Sequence, residues 1–405
     1  MSTLLLRNAR LADNSTVDVL IVDDTVVDVG SRIRESAGTR ADVIDLEGFL
    51  LLAAPVEPHA HLDKALTGDL VVPVYGDLSS AARAWKNHAE SLTTENILDR
   101  GRDALRELLW SGATAVRTHV NKLPGRDPLL ALRALVRLRE AAAEVMSVQI
   151  VYVSSKTSTT EELRSAVAAG ADALGGAPHT AQQPTDAQAA VLAVAAQTGV
   201  DVDLHTDEDL DTSTRTLVTL AEQVSSSGFT GRVTASHCVS LGMQDPVERG
   251  ATIAAVKSAG IAVVALPSTN LYLQGRAASL SPPRGMPPLR ELLNAGVPVA
   301  GGGDNFRDPF LPVGRADPFE TASLLVTAGH LTVEEAYAAI SETARQIMGL
   351  PPAGPTAGLR ADILAVRATS LTDAIARAPQ DRLVISRGQI AARSTVKRET
   401  HLLSR

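Results

Sequence analysis

An apolar run followed by an amphipathic stretch recurs eight times between residues 49 and 350, short turn-bounded apolar runs occupy both chain ends, and histidines gather where the central runs stop. These three observations predict an α/β protein: a (β/α)8 TIM barrel over residues 51–354 with a small β-sandwich domain built from both termini, residues 1–50 and 355–405.

The N-terminal region alternates Leu4-Leu5-Leu6, Asp18 to Val22 and Thr25 to Gly30, with Asp23-Asp24 as a turn. The C-terminus repeats the style in Ala361 to Val366 and Arg382 to Ile390. Neither end has enough strands to be stable alone, which is why they are expected to form one composite layer. Between them the strand-type runs are 49–56, 113–118, 148–153, 171–176, 200–204, 232–236, 261–266 and 297–300. The stretches between them read as helices; Thr332-Val333-Glu334-Glu335 is a capping box ahead of an apolar-periodic segment. Of the 405 residues, 45% are hydrophobic and only 3% aromatic, so Ala, Val, Leu and Ile must build the core. The net charge of −8 and the lack of a basic stripe exclude nucleic acid as the expected partner. No run is apolar over about 18 residues and no signal peptide is legible, so a cytoplasmic location without membrane partners is expected. A single cysteine, Cys238, excludes an intrachain disulfide and reads as a packed residue.

Of nine histidines, six (His59, His61, His119, His179, His205 and His237) fall at or just past the end of an apolar run. In a barrel those ends converge on the face where active sites are built. His88, His330 and His401 read instead as structural or surface residues. Alternation along a strand aims His59 and His61 at one point. With His205 after the fifth run and Asp304 after the eighth, three imidazoles and one carboxylate suit one borderline divalent ion, Zn2+ or Fe2+, with a position left for water. Asp304 and His237 are expected beside that water, one taking its proton and the other orienting it. Glu208, three residues beyond His205, is placed to shuttle a proton to a leaving group or ring nitrogen. Gly301-Gly302-Gly303 lacks the Lys-Ser/Thr of a phosphate loop and reads as close packing at the barrel mouth.

The motifs Val-Glu-Pro-His-Ala-His-Leu-Asp (56–63), Val116 to Val120, His205-Thr206-Asp207-Glu208, Val233 to His237 and Asp304 to Phe310 resemble the amidohydrolase superfamily, specifically its bacterial cytosine deaminase branch. The resemblance implies a (β/α)8 barrel holding one iron or zinc and hydrolytic deamination of an amidine-like ring carbon. It implies that His59, His61, His205 and Asp304 bind the metal, that Glu208 protonates the ring nitrogen, that His237 positions the attacking water and that His119 lines the pocket. The strand-four run carries no lysine to bridge a second ion, so a single metal is expected.

The substrate wall differs from that branch. Where cytosine deaminases carry a glutamine after strand three, this chain reads Tyr152-Val153-Ser154-Ser155-Lys156; Asn305 replaces a second aspartate and Phe310 a tryptophan. Asp63-Lys64 with Asp304-Asn305 also resembles the N-alkylammelide aminohydrolases, which lack the glutamate supplied here by Glu208. Lys64, His119, Ser155, Asn305 and Phe310 are therefore the expected substrate contacts, with Lys64 and Lys156 either adding positive charge to the pocket or lying solvated in loops. The reading is a metal-dependent aminohydrolase releasing ammonia from a small nitrogen heterocycle, possible as a homo-oligomer by analogy. Its alternatives are release of an alkylamine, ring opening of a cyclic amide or imide, and a non-catalytic metal-stabilised binding scaffold.

Overall fold

The structure is a computed structural model and describes residues 2–33, 41–123 and 127–399; His401 lies outside them. Strands β1 (Thr3–Arg10), β2 (Thr16–Val22) and β3 (Thr25–Gly30) form an antiparallel meander, and β4 (Asp42–Asp45) and β5 (Leu50–Ala53) run parallel to β1.

The eight following strands are β6 (Glu57–Ala60), β7 (Ala115–Asn121), β8 (Ser147–Ser154), β9 (Ala173–Gly176), β10 (Asp201–Thr206), β11 (Val233–His237), β12 (Ala262–Ala265) and β13 (Val299–Gly301). They pair in chain order, all parallel, with helices between them. A parallel bridge from Ala60 to Asp304 joins the first strand to the last, closing the (β/α)8 barrel. The capping box forms as expected: Glu335 N donates to Thr332 Oγ1 and Thr332 N to Glu335 Oε2, opening the helix Val333–Ile340.

The final strands, β14 (Ile363–Val366), β15 (Arg382–Ser386) and β16 (Gln389–Ser394), return to the first sheet, where β14 pairs antiparallel with β5. That sheet curls over one apolar core of Leu6, Ile21, Val26, Leu51, Ile363 and Ile385. Its β3 edge is held by Val26 N donating to Leu359 O and Ala361 N donating to Asp24 O.

One expectation needs correction. The apolar run 49–56 is not the first barrel strand: Leu50–Ala53 is buried in the terminal sheet, Pro55 ends it, and the barrel begins at Glu57. The misreading has a physical cause, since a central strand of either sheet is apolar on both faces. Contacts group the described residues of 1–55, 108–114 and 351–405 into one compact unit and those of 56–107 and 115–350 into another. Among the described residues no helix is long and apolar enough to cross a membrane.

Candidate active site

The bonds that close the barrel also assemble the site. His61 N donates to Asp304 O (3.0 Å) and Asp304 N to His59 O (2.9 Å), so ligands far apart in sequence are neighbours across one seam. Glu57 clamps the seam, its carboxylate accepting from His59 N and from Gly303 N at 3.0 Å each. Burial pushes that carboxyl up to about 8. A Cβ on Gly302 would lie 2.7 Å from Glu57 Oε1 and 3.2 Å from His59 O, which is why a residue without a side chain stands there. Asp304 itself sits at φ 63 and His237 at φ 71, left-handed conformations that cost energy and mark positions shaped by function.

The four expected ligands meet at one point. The coordinating atoms of His59, His61 and His205 lie within 4.8 Å of one another, as do those of His59, His237 and Asp304. Asp304 Oδ1 is 3.3 Å from His61 Nε2 and 3.6 Å from His59 Nε2, and His205 Nε2 is 3.3 Å from His61 Nε2.

The far side of each ring explains this aim. His59 Nδ1 contacts Ser236 Oγ at 2.9 Å, and that hydroxyl donates onward to Asp203 Oδ1 (3.1 Å), so Ser236 accepts from His59 Nδ1–H and leaves Nε2 with its lone pair. His61 Nδ1 lies 3.0 Å from the His119 carbonyl, which can only accept, and 2.9 Å from Lys64 Nζ, which can only donate. Burial first, then the neighbouring charges, hold His59, His61 and His205 well below the ordinary imidazole range, so all three are neutral. Buried His59 Nε2 has no hydrogen-bond partner among the described residues. Neutral imidazoles and a carboxylate converging in this way fit a divalent ion and little else.

Two proton-handling groups flank the ligands. His237 Nδ1 contacts Asn270 Oδ1 (3.1 Å), which can only accept, so Nδ1 carries the proton and Nε2 faces Asp304 as a base. Glu208 is 7% exposed, and burial pushes its carboxyl up to about 7 although His179 opposes the rise. Its backbone is set by Asp207, whose carboxylate accepts from Thr216 N and Thr216 Oγ1, and by Gln274 Nε2 donating to Glu208 O.

A model of the amidohydrolase family matches residues 78–399. The chain belongs to the amidohydrolase family. It is 32% identical over 392 residues to a pterin deaminase of Rhizobium rhizogenes, covering 93% of this chain and 88% of that protein. Among solved structures it is similar to a 5-methylcytosine deaminase from Klebsiella pneumoniae liganded with 5-fluorocytosine, at 26% identity and TM-score 0.89, covering 98% of this chain and 99% of the other. It is also similar to N-isopropylammelide isopropylaminohydrolase from Burkholderia multivorans, at 28% identity and TM-score 0.82, over 97% and 99%.

The expected substrate contacts of this amidohydrolase divide. Lys64 is buried, 3% exposed, with Nζ 5.8 Å from the Trp85 ring centroid and 5.7 Å from that of Phe310 and bonded to Asn121 Oδ1. It is thus a cation held under two rings, whereas Lys156 is the solvated loop residue. Asn305 is buried but committed to the fold: its Oδ1 accepts from Thr269 Oγ1 and its Nδ2 donates to Asp308. His119 packs against the candidate ligands; its ring stacks on His59 with centroids 3.7 Å apart, and its Nε2 is 3.3 Å from Asp203. Ser155 is not brought to the cluster, because it is exposed and its hydroxyl engages Thr157 and Ser158 within its own loop. Cys238 is buried with Sγ against Thr206 Oγ1, apart from the ligand set.

Several site residues escaped the sequence reading: Glu57, Trp85, Arg117, Asp203, Ser236 and Asn270. Asp203 precedes His205 by two positions on β10 and so shares its face, a spacing that could have revealed it. Arg117 on β7 ion-pairs with it at 3.0 Å, and together with His119 holds its carboxyl below the ordinary range against the pull of burial.

Proposed function

We propose that this metal-dependent hydrolase of carbon–nitrogen bonds in nitrogen heterocycles is a deaminase. In this reading it binds one divalent ion, zinc or ferrous iron, and releases ammonia from an amino-substituted ring of the pterin type. The observation that carries the reading is Glu208, a buried carboxyl close enough to Asp304 to feel its charge, which burial pushes up to about 7. A carboxyl of that kind can give its proton to a ring nitrogen at neutral pH. The pterin class is supported by the 32% identity to a pterin deaminase across 93% of the chain.

His59, His61, His205 and Asp304 would hold the ion, which when bound lowers the pKa of the attacking water. Asp304 takes a proton from that water as its oxygen adds to the ring carbon bearing the amine. Glu208 gives its proton to the adjacent ring nitrogen, so charge does not build up on the ring. His237, with Nδ1–H fixed by Asn270, holds the incoming oxygen through Nε2. The proton on Asp304 then passes to the amine, the carbon–nitrogen bond breaks and ammonia leaves, while the proton remaining on the added oxygen returns to Glu208 as the ring carbonyl forms. Atoms balance as water plus aminated ring giving oxo ring plus ammonia.

The test is product analysis on pterin, isocytosine, cytosine and N-isopropylammelide with zinc-loaded and iron-loaded protein. Ammonia in equal amount to the oxo product supports deamination. Release of isopropylamine alone, or of a ring-opened carboxylate, would replace it.

A further inference from the structure

His179 stands apart from the groups assigned so far. It occupies a short 3-10 turn, Pro178–Thr180, directly after β9. Its side chain is 5% exposed, yet neither ring nitrogen has a hydrogen-bond partner among the described residues. Its Nε2 lies 3.6 Å from Glu208 Oε2, beyond a good hydrogen bond but close enough for both groups to face neighbouring atoms of one ligand. An imidazole buried with both nitrogens unpaired is costly unless something else completes it.

From this geometry we infer that His179 is a specificity-determining residue: its Nε2–H donates to an oxygen carried on the ring carbon next to the nitrogen that Glu208 protonates. The inference rests on the deamination reading for the role of Glu208. If Glu208 addresses a ring nitrogen, the group beside it addresses the next ring position, and an imidazole N–H at that place selects an acceptor. The ligand class is therefore a cyclic acylamidine, in which one ring nitrogen lies between an amine-bearing carbon and a carbonyl carbon. Ser155 cannot read that edge, since it is exposed and turned into its own loop, so recognition passes from the strand-three loop to the strand-four turn. Thr180 Oγ1 donates to Ala177 O at 2.8 Å and ties the turn back to the end of β9.

The experiment compares zinc-loaded wild type, His179→Ala and His179→Gln by equilibrium fluorescence binding of two probes without an amine: lumazine, which carries the ring oxygen, and pteridin-2-one, which lacks it. Loss of the donor should weaken lumazine about 10- to 100-fold, glutamine should restore part of the loss, and pteridin-2-one should bind all three proteins alike. If the alanine variant does not fold, His179→Leu takes its place. Equal losses for both probes, no loss for lumazine, or no lumazine binding by wild type would overturn the assignment. A wild type that binds lumazine with the expected discrimination but releases no ammonia from pterin would instead sink the deamination reading, and with it the ring-nitrogen role of Glu208, while keeping His179 as the donor to the ring oxygen.

Discussion

The tautomer of His59 shapes what this site can do. Ser236, whose hydroxyl donates to Asp203, takes the Nδ1 proton of His59 and leaves its Nε2 lone pair free to face a metal. Replacing Ser236 by alanine should therefore weaken metal binding about 10- to 100-fold in a chelator competition while the fold persists. Unchanged affinity would show that the Asp203–Ser236 link does not position His59. Glu208→Gln should leave metal content unchanged and lower kcat by about 10²- to 10⁴-fold. The working form of Glu208 is the acid, present below about pH 7 and lost as pH rises through it, so kcat/KM should bend downward above neutrality. Sequence could nominate the four candidate ligands, Glu208 and His237, because strand periodicity and chemical type suffice to single them out, and the structure brings the four candidates together. It could not show Asn270 or Ser236, whose importance lies in a contact across strands, nor that Ser155 turns away, which depends on a local loop conformation.

At the level of elements, the seam between β6 and the segment after β13 does the assembling. Gly302 has no room for a methyl group, with Glu57 Oε1, Leu266 Cδ2 and His59 O all within 3.2 Å of the position a Cβ would take. Gly302→Ala should cost about 1–3 kcal/mol by overpacking and loosen metal binding, because His59 and Asp304 face each other across that seam. Gly250→Ala, in the helix Pro246–Ser258 with nothing near its Cβ position, is the control and should be neutral or stabilising. Thermal melts with metal titrations of both variants decide it; matching behaviour would remove the seam from the account. Seven of the eight barrel strands were legible because β/α alternation carries over long segments. The eighth, β6, was missed since Glu57-Pro58-His59-Ala60 is a buried strand written in polar residues, and the apolar run just before it belongs to another sheet.

For the whole molecule, the proposed ligands lie on or just after the first, fifth and last barrel strands, so a bound ion would tie the beginning of the barrel to its end. An ion that binds only the folded chain stabilises it by about 2.7 kcal/mol at a free concentration 100 times its Kd. Chelation should lower Tm and readdition of zinc or iron should restore it; a Tm indifferent to chelator would mean the ligands are not bridged. The composite sheet was legible from its two ends, because unpaired strands demand partners, whereas the grouping of residues 108–114 with it rests on packing such as Arg382 against Ser111 O and left no mark in the sequence pattern. The central claim is that one ion held by His59, His61, His205 and Asp304 supports hydrolysis with Glu208 as the acid. Its most direct test is to titrate zinc or iron into metal-free protein while following ammonia release from pterin. Activity should rise linearly and break at one ion per chain. A break at two ions, or ammonia release independent of metal, would contradict it.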